Sequence, residues 1–325
     1  MRVVVTGAAG FIGRSIVRQL AARGDHVVAL VRDPAMAAHI AAPTVELVAS
    51  DLSDVTSLTE LARGADGLIH AAGSYRIGIP VSERPSMLDA NVGTTERVLD
   101  AAIAAGVPRI VYLSTINAFG NTHGQVVDET YRRDPKEGFG SYYDETKWLA
   151  HVAAEARIAD GAPIVIVQPG ITYGPGDHSS VGQQLLQAYL GTAAFVALGS
   201  LGISPVHVDD LAAGILAALD RGTPGRAYAL GGPNVRLKEA MGIAARAAGH
   251  GPPRLVIPNW FLRIGARLGP NLGGLFGLSP NLREILKSSD GVTFWASSAR
   301  AAAELGYRPR DLAAGFADAF GGGTR

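Results

Sequence analysis

Short apolar runs rich in β-branched residues alternate with longer helical segments through the first half of the chain. The runs lie at residues 3–6, 27–31, 45–48, 68–71, 110–114 and 164–167. They are apolar on both faces, as strands are in a parallel sheet that helices cover on each side. The intervening segments at 11–23, 55–63, 91–105 and 141–159 are long enough to be crossover helices. The pattern therefore predicts an α/β fold built on a doubly wound parallel sheet.

The regular alternation ends after residue 168. Loops rich in glycine and proline then separate short helical segments, at residues 169–182, 199–206, 222–234 and 250–280. We expect residues 1–168 to form the sheet domain. Residues 169–325 would form mostly a smaller C-terminal lobe that could carry a substrate site, with residues 206–230 returning to the sheet.

Composition argues against several classes of protein. The 29 lysines and arginines balance the 29 aspartates and glutamates, so no net field attracts nucleic acid or anionic lipid. The absence of cysteine rules out disulfides and thiolate metal sites and fits a reducing compartment. The longest uncharged stretch, residues 179–208, holds glutamines, a proline and glycines, which makes it a poor membrane helix. We expect a cytoplasmic protein without a metal site, a nucleic-acid partner or a membrane span.

The first apolar run leads directly into the sequence TGAAGFIG and then into a helical segment. Gly7, Gly10 and Gly13 let the turn close, let backbone amides approach a pyrophosphate, and let the helix pack on the strand. The backbone of Phe11 and Ile12 would lie beside the same ligand. Because the glycines stand at the strand-to-helix junction of the first βαβ unit, they predict a dinucleotide site. The alternative is a tight turn that binds no ligand.

The end of the second strand should carry the residue that reads the cofactor ribose. An acid there binds the 2′-hydroxyl of NAD, and an arginine accommodates the 2′-phosphate of NADP. Val31 occupies the position expected for the acid, and Arg32 follows it. This favours NADP over NAD, although Asp33 is near enough in sequence to reach the ribose. The alternative for Arg32 is a solvated loop cation.

Further cofactor contacts are expected after the third and fourth strands. Asp51 and Leu52 follow the third strand, where a carboxylate can accept from the adenine amino group; the alternative for Asp51 is a cap on the helix beginning near Val55. Small residues after the fourth strand would let backbone lie against a ribose, namely Ala71, Ala72 and Gly73. His70 precedes them, and we interpret it as a satisfied core histidine without a chemical role.

Tyr143 and Lys147 stand four residues apart in a helical segment, so their side chains share one face. A phenol that titrates near 10 is a poor acid-base group at neutral pH. A lysine cation and an oxidised nicotinamide nearby would lower its pKa and suit it to proton exchange with a carbonyl oxygen. Thr115 or Ser114, at the carboxyl end of the fifth strand, can supply the hydroxyl that polarises that oxygen.

Motifs along nearly the whole chain resemble those of one family. They are TGAAGFIG, DLSD, HAAG, NVGTTERVLDAA, LSTINAFG, YDETK, QPGITYGPGD, PVHVDD and SARAAAELGYRPRDL. The chain resembles an extended short-chain dehydrogenase/reductase of the NAD-dependent epimerase/dehydratase family, which has a Rossmann sheet and a smaller C-terminal substrate lobe.

The resemblance implies a role for each residue of the catalytic group. Tyr143 would be the acid-base group, Lys147 would hold the nicotinamide ribose and lower the pKa of Tyr143, and Thr115 would orient the substrate. The backbone of Pro169, Gly170 and Ile171 would flank the nicotinamide. Gln168 differs from the arginine often found before that proline, which leaves the anchoring of this turn open.

Two departures from the family narrow the reaction. Nucleotide-sugar dehydratases place Asp-Glu after the catalytic threonine, whereas this chain has Ile116 and Asn117. Nucleotide-sugar enzymes also usually carry an arginine just before the HVDD-like segment, where this chain has the uncharged residues 203–206. The chain looks closest to the dihydroflavonol-reductase-like and hopanoid-associated branch. We therefore favour an NADP-dependent reductase of a ketone or aldehyde on a mainly apolar substrate, with a sugar epimerase and a non-enzymatic dinucleotide sensor as alternatives.

Substrate contacts and assembly can be predicted only in outline. We expect the substrate between the loop at residues 74–84, which includes Ser74 and Tyr75, and aromatic residues of the late segments. Those aromatic residues are Tyr173, Trp260 and Trp295, each of which could instead fill the core. The alanine-rich segments 91–106 and 141–160 resemble the helices by which related proteins dimerise, so we expect a homodimer; alternatively, both segments simply cover the sheet.

Overall fold

The computed structural model describes residues 1–193, 196, 198–255, 260 and 282–321. Seven parallel strands form its main sheet in the order β10-β6-β5-β4-β1-β2-β3. Their bounds are β1 Arg2–Thr6, β2 His26–Val31, β3 Val45–Ala49, β4 Gly67–His70, β5 Ile110–Leu113, β6 Ile164–Pro169 and β10 Ala227–Leu230. The predicted doubly wound parallel sheet is confirmed.

Four further strands form two small sheets outside the main one. Their bounds are β7 Thr172–Tyr173, β8 Gly202–Ile203, β9 Val206–His207 and β11 Val235–Arg236. Strand β7 pairs in parallel with β9, and β8 pairs antiparallel with β11. Strand β7 follows shortly after β6, so the chain passes from the main sheet straight into the second lobe.

Helices cover both faces of the main sheet and build the second lobe. Their bounds are α1 Phe11–Ala22, α2 Val55–Ala62, α3 Arg84–Leu88, α4 Thr94–Ala104, α5 Tyr142–Ala159, α6 Ser180–Tyr189, α7 Val208–Arg221, α8 Leu237–Ala247, α9 Leu282–Lys287, α10 Ala299–Leu305 and α11 Leu312–Gly321. Among the residues that the structure describes, no helix is long and apolar enough to cross a bilayer.

The apolar core has three main parts. Helices α1, α7 and α10 pack on one face of the sheet, and α2, α4 and α5 pack on the other. A third cluster joins α6, α8 and α11 in the second lobe. Strand β10 pairs with β6 in the main sheet, and α7 covers that sheet, so residues from beyond 168 complete the first unit.

Local signals explain where several helices begin. Helix α5 starts with a capping box, in which the Ser141 hydroxyl accepts from the Asp144 amide and the Asp144 carboxylate accepts from the Ser141 amide. Helix α2 is capped by Asp54, whose carboxylate accepts from the Thr56 amide at 2.9 Å. The alternative of Asp51 as that cap is therefore wrong, because the helix starts one turn too late for Asp51 to reach it.

The segment predicted as one helix over 91–105 is divided in the structure. A π-helical turn, Asp89–Gly93, precedes helix α4. The wider turn changes the direction in which its residues face, and it places Asn91 in the interior at 1% exposure. This local irregularity bears directly on the functional site.

Candidate active site

A cleft of about 500 Å³ opens at the carboxyl edge of the main sheet. Sixteen of the residues predicted to bind cofactor or substrate, or to act in catalysis, line it: Gly7, Gly10, Phe11, Ile12, Gly13, Ala71, Ala72, Gly73, Ser74, Tyr75, Thr115, Tyr143, Lys147, Pro169, Gly170 and Ile171. They come from the ends of β1, β4, β5 and β6 and from helices α1 and α5. Parallel strands thus bring together residues as far apart in sequence as Gly7 and Ile171.

The glycine turn packs its own backbone too closely to admit a side chain at two positions. Gly7 has a φ of +67°, and a Cβ there would lie 2.7 Å from the Ala72 amide nitrogen. A Cβ on Gly13 would lie 2.0 Å from the Gly7 carbonyl oxygen. Only glycine fits either position, since the first needs left-handed backbone and both contacts are with backbone atoms.

The N-terminus of α1 faces this cleft with its amide groups available. Gly10 provides no side-chain cap, and the first turn contains no acidic residue. The free N–H groups and the positive end of the helix dipole favour an anion at this place. The turn and the helix therefore fit the pyrophosphate of a dinucleotide.

The predicted ribose and adenine contacts lie outside the cleft lining. Arg32 is exposed just after β2 and makes no hydrogen bond or ion pair with the described part of the chain. Asp33 instead accepts from the Ala35 amide at 2.9 Å, which occupies one of its carboxylate oxygens in a local turn. Asp51 is exposed and accepts from the Ser53 amide and hydroxyl at 3.0 and 2.6 Å, which lowers its pKa, and Leu52 beside it has a φ of +63°.

Tyr143 lies in the first turn of α5 and is 9% exposed. Burial raises the pKa of its phenol well above the usual value, and the nearby Tyr75, Asp144 and Tyr112 raise it further. The nearby Thr115 acts in the opposite direction. The lowered pKa predicted from the sequence depends on an oxidised nicotinamide beside the phenol, and the surroundings that the chain itself provides raise the pKa.

Lys147 lies one helical turn beyond Tyr143 and is also buried. Its Nζ donates to the Leu113 carbonyl oxygen at 3.0 Å and to the Tyr112 hydroxyl at 3.4 Å, and it lies 5.2 Å from the centre of the Tyr112 ring. Burial lowers its pKa to about 8. The ammonium is therefore positioned by strand β5, in the wall of the cleft.

Thr115 and Ser114 occupy different positions at the end of β5. Thr115 is the one close enough to Tyr143 to lower the pKa of its phenol, and the Thr115 hydroxyl accepts from the Asn117 amide at 3.2 Å. The Ser114 hydroxyl lies 2.9 Å from Nδ1 of His151 on α5. The geometry therefore favours Thr115 as the hydroxyl beside the acid-base group and gives Ser114 a different partner.

Two asparagines, Asn91 and Asn117, also line the cleft, although neither is predicted as a site residue from the sequence. Asn91 accepts from the Ser74 amide at 2.7 Å and donates to the Ser74 carbonyl at 3.0 Å and to Thr146 at 2.9 Å. Asn117 donates to the buried Asp144 carboxylate at 3.1 Å. The NVGTT motif contains Asn91, but nothing in its spacing indicates that a π-helical turn directs this side chain toward the loop after β4.

His70 is fully buried and bonded on both ring nitrogens. Nδ1 lies 2.7 Å from the Thr6 hydroxyl, and Nε2 lies 3.0 Å from the Thr95 hydroxyl. Burial, together with the positive charge of Lys147, lowers its pKa to about 3. The ring also stacks on Tyr112 at 5.6 Å. His70 is thus a neutral core residue, as the sequence analysis interpreted it.

The prediction that the late aromatic residues line the cleft is wrong. Tyr173 is 1% exposed and packs against His207, Phe316 and Phe320, because α11 covers β7. Trp295 donates to the Val235 carbonyl at 3.3 Å in the second lobe. Trp260 is 62% exposed, and the residues on either side of it, 256–259 and 261–281, lie outside the described part of the chain.

The turn after β6 closes the far side of the cleft. Gln168 is buried, and its amide oxygen and nitrogen find no hydrogen-bond partner in the described part of the chain. Gly170 packs so tightly that a Cβ would lie 2.1 Å from the Ser204 carbonyl oxygen. The turn is therefore held by backbone packing against the segment 203–206, which is buried behind it and does not line the cleft.

The chain is similar to known proteins in both sequence and structure. The chain matches the model of the NAD dependent epimerase/dehydratase family over residues 3–231. A Synechocystis sp. protein provisionally named dihydroflavonol 4-reductase is 30% identical, with 97% of this chain and 92% of that protein covered. The sterol demethylase protein B of Methylococcus capsulatus is also 30% identical, with 98% and 97% covered. The crystal structure of gox2253 has a TM-score of 0.83 and 33% identity and covers 98% of this chain and 96% of that one.

These similarities extend over the sheet, the glycine turn and the second lobe. They confirm the resemblance found in the sequence motifs. The chain belongs to the NAD dependent epimerase/dehydratase family and is an enzyme of the extended short-chain dehydrogenase/reductase type, with a nicotinamide dinucleotide as cofactor.

Proposed function

We propose that this enzyme reduces a ketone or aldehyde on a mainly apolar small molecule, with NADPH as the preferred cofactor. The bound cofactor would supply the hydride. The glycine turn and the α1 N-terminus would hold its pyrophosphate, the backbone at 71–73 and 169–171 would flank it, and Arg32 would bind the 2′-phosphate. Arg32 supports the NADP preference because its guanidinium is exposed without an ion pair in the described chain, whereas Asp33 is engaged in its own turn.

Tyr143 would donate the proton that the carbonyl oxygen needs. The raised pKa of its phenol keeps it protonated at neutral pH, which is the form required for reduction. Thr115 would donate its hydroxyl to the same carbonyl oxygen and stabilise the charge that develops there. Lys147 would contact the cofactor ribose from the wall of the cleft and favour the phenolate left after proton transfer.

The apolar surroundings of Tyr143 are the observation that carries the choice of substrate. Ile79 and Met87 pack against the Tyr143 ring in one buried cluster, which Ile77 and Tyr142 border. Tyr75 meets Tyr143 edge to face, with ring centres 4.8 Å apart. Tyr75 and Tyr143 line the cleft at this point, with Ile79 and Met87 buried behind them, and together they offer an apolar or aromatic surface to a substrate.

A screen for cofactor oxidation tests this proposal. Aldehydes, ketones, sterol ketones and sugar nucleotides would each be mixed with the enzyme and NADPH or NADH, and the absorbance of the reduced nicotinamide followed. We expect oxidation of NADPH with apolar ketones or aldehydes. Conversion of a sugar nucleotide without net cofactor oxidation would instead support an epimerase, and tight dinucleotide binding with no turnover across the panel would support a sensor.

We also propose that the chain forms a cytoplasmic homodimer through α4 and α5. Ile103 on α4 and Val152 on α5 are exposed apolar side chains, at 38% and 39%. Arg157 bridges the two helices through Asp100, with a 2.6 Å contact, so they present one common surface. Sedimentation at micromolar concentration should give about twice the 33.7 kDa chain mass, and a mass near that of a single chain would contradict the dimer.

A further inference from the structure

Four polar side chains lie along one face of α5 and lead away from the cleft. Tyr143, Lys147, His151 and Glu155 follow one another at intervals of four residues, so each lies one turn beyond the last. The first two belong to the catalytic group. The last two have no part in the chemistry described so far, although they continue its line toward the opposite surface.

The contacts of His151 connect the cleft to that surface. Its Nδ1 lies 2.9 Å from the Ser114 hydroxyl, and Ser114 lines the cleft. Its Nε2 lies 3.5 Å from a carboxylate oxygen of Glu155. The His151 side chain is 12% exposed and that of Glu155 is 38% exposed, so the chain of groups runs from the interior to solvent.

Glu155 opens into a second cavity that is separate from the cleft. This polar groove has a volume of about 670 Å³, and Glu129, Arg132 and Arg226 also line it. Glu155 lies 3.4 Å from the Arg132 guanidinium, and the His151 hydrogen bond and this arginine lower the pKa of the carboxyl group. Its carboxylate is therefore ionised at neutral pH and can accept a hydrogen bond from the Nε2–H of the imidazole.

We propose that Ser114, His151 and Glu155 form a proton relay that resupplies Tyr143 from the groove. The proposal rests on the reductase function, because reduction consumes one proton in every turnover whereas epimerisation consumes none. Tyr143 is only 9% exposed without substrate, and an apolar substrate that packs against Tyr75 would exclude water from the mouth of the cleft. A path from the opposite side avoids that obstruction.

The proton count of the relay balances over one turnover. Tyr143 gives its hydroxyl proton to the carbonyl oxygen and becomes a phenolate. Ser114 passes a proton to that phenolate through water in the cleft and takes one from Nδ1 of His151. To supply that proton, the imidazole, which keeps its Nε2–H, first turns toward the groove and takes a second proton on Nδ1 from water there. After it turns back, loss of the Nδ1 proton to Ser114 returns it to its starting form. The net result is one proton moved from the groove to Tyr143, with nothing oxidised or reduced in the relay.

Two substitutions of His151 separate a relay from a structural contact. In His151→Gln, the amide can keep hydrogen bonds to Ser114 and Glu155 but cannot pass a proton on. In His151→Ala, the space opened can admit free imidazole. His26→Gln is the matched control, because His26 on β2 faces Glu46 on β3 at 4.0 Å in an exposed pair away from the cleft.

Stopped-flow oxidation of NADPH with a substrate of the wild-type enzyme gives the readout. We expect His151→Gln to complete the first turnover at the wild-type rate and then to slow by roughly tenfold, below the 10²–10⁴-fold typical of losing the acid-base group itself. Added imidazole should restore the later turnovers of His151→Ala, and His26→Gln should behave as wild type.

Each other outcome counts against a specific claim. Wild-type steady-state turnover by His151→Gln would overturn the relay and leave the proposed function intact. A slowed first turnover in that variant would also overturn it, since a relay acts only after the first proton has been used. If the wild-type enzyme reduces no compound of the carbonyl panel, the proposed function fails and the net proton demand that requires the relay fails with it.

Discussion

The substitution Lys147→Met should affect the stability of the fold and the chemistry of the site in different ways. The wild-type ammonium is buried, and it donates to the Leu113 carbonyl oxygen and to the Tyr112 hydroxyl, at 3.0 and 3.4 Å. Methionine has a similar unbranched length and fills the same space without a charge. We therefore expect the fold to survive while dinucleotide affinity and turnover both fall.

The effect on stability can be worked out from two opposing contributions. Burial lowers the pKa of Lys147 from 10.5 to about 8. Keeping this charge in the folded protein therefore costs about 3 kcal/mol at neutral pH, at 1.4 kcal/mol per unit. Removing it also breaks a charged hydrogen bond, which typically contributes about 1.5–3 kcal/mol. At pH 7 the free energy of unfolding of Lys147→Met should thus be equal to that of wild type or higher, by up to about 2 kcal/mol.

The pH dependence gives the sharper test. Because the pKa of Lys147 is lower in the folded chain than in the unfolded chain, the unfolded chain binds this proton more tightly. The penalty is complete below pH 8 and is relieved as the pH rises toward 10.5. Wild type should therefore gain about 2 kcal/mol of stability relative to Lys147→Met between pH 7 and pH 9.5.

Urea unfolding of both proteins at pH 7 and pH 9.5 measures this difference directly. Other titrating groups are common to the two proteins and cancel in the comparison. A difference between wild type and variant that stays constant with pH would refute the argument, because it would mean that Lys147 is not held in a site that disfavours its charge. A variant that binds dinucleotide as tightly as wild type would refute the assignment of Lys147 to the cofactor site.

The other predictions concern the reaction and its cofactor. Tyr143→Phe keeps the packed ring and removes the proton donor, so kcat should fall by roughly 10²–10⁴ with little change in NADPH affinity; full activity would overturn the mechanism. Arg32→Ala should reduce the preference for NADPH over NADH by roughly 10- to 100-fold in dissociation constant, and equal affinities in wild type would contradict the NADP assignment. Thr115→Val should slow the first turnover, whereas Ser114→Ala should leave it unchanged and slow later ones; the reverse result in stopped-flow assays would exchange their roles.

The sheet could be predicted because its strands are buried on both faces. Each of the six runs read from the sequence overlaps a strand of the main sheet within two residues at either end. The seventh strand, β10, was expected only as part of a returning segment. Its four residues follow a loop and carry no pattern that separates them from a short buried helix segment.

The site could be predicted where it depends on local spacing. Tyr143 and Lys147 share a helix face, and Thr115 ends a strand, so their meeting follows from one helix crossing one sheet edge. Tyr173 was misplaced because its environment is decided by α11, which begins 139 residues later and brings Phe316 within 4.7 Å of the Tyr173 ring. The sequence around an aromatic residue next to a glycine-rich loop does not indicate which distant segment will pack against it.

The sequence also does not show the direction in which the Lys147 side chain points, and this direction affects the chemistry of the site. Helical spacing puts Lys147 beside Tyr143, but strand β5 offers the ammonium a carbonyl oxygen at 3.0 Å, and the charge is directed there. Burial is then the dominant effect of the chain on Tyr143 and raises the pKa of its phenol, whereas the lowered pKa predicted from the sequence also requires an oxidised nicotinamide nearby. For a reductase this is the useful arrangement, because the phenol must hold its proton until the carbonyl oxygen takes it. What the chain must then provide is a way to return that proton to a buried group, and this is the demand that the polar line from Ser114 through His151 to Glu155 would meet.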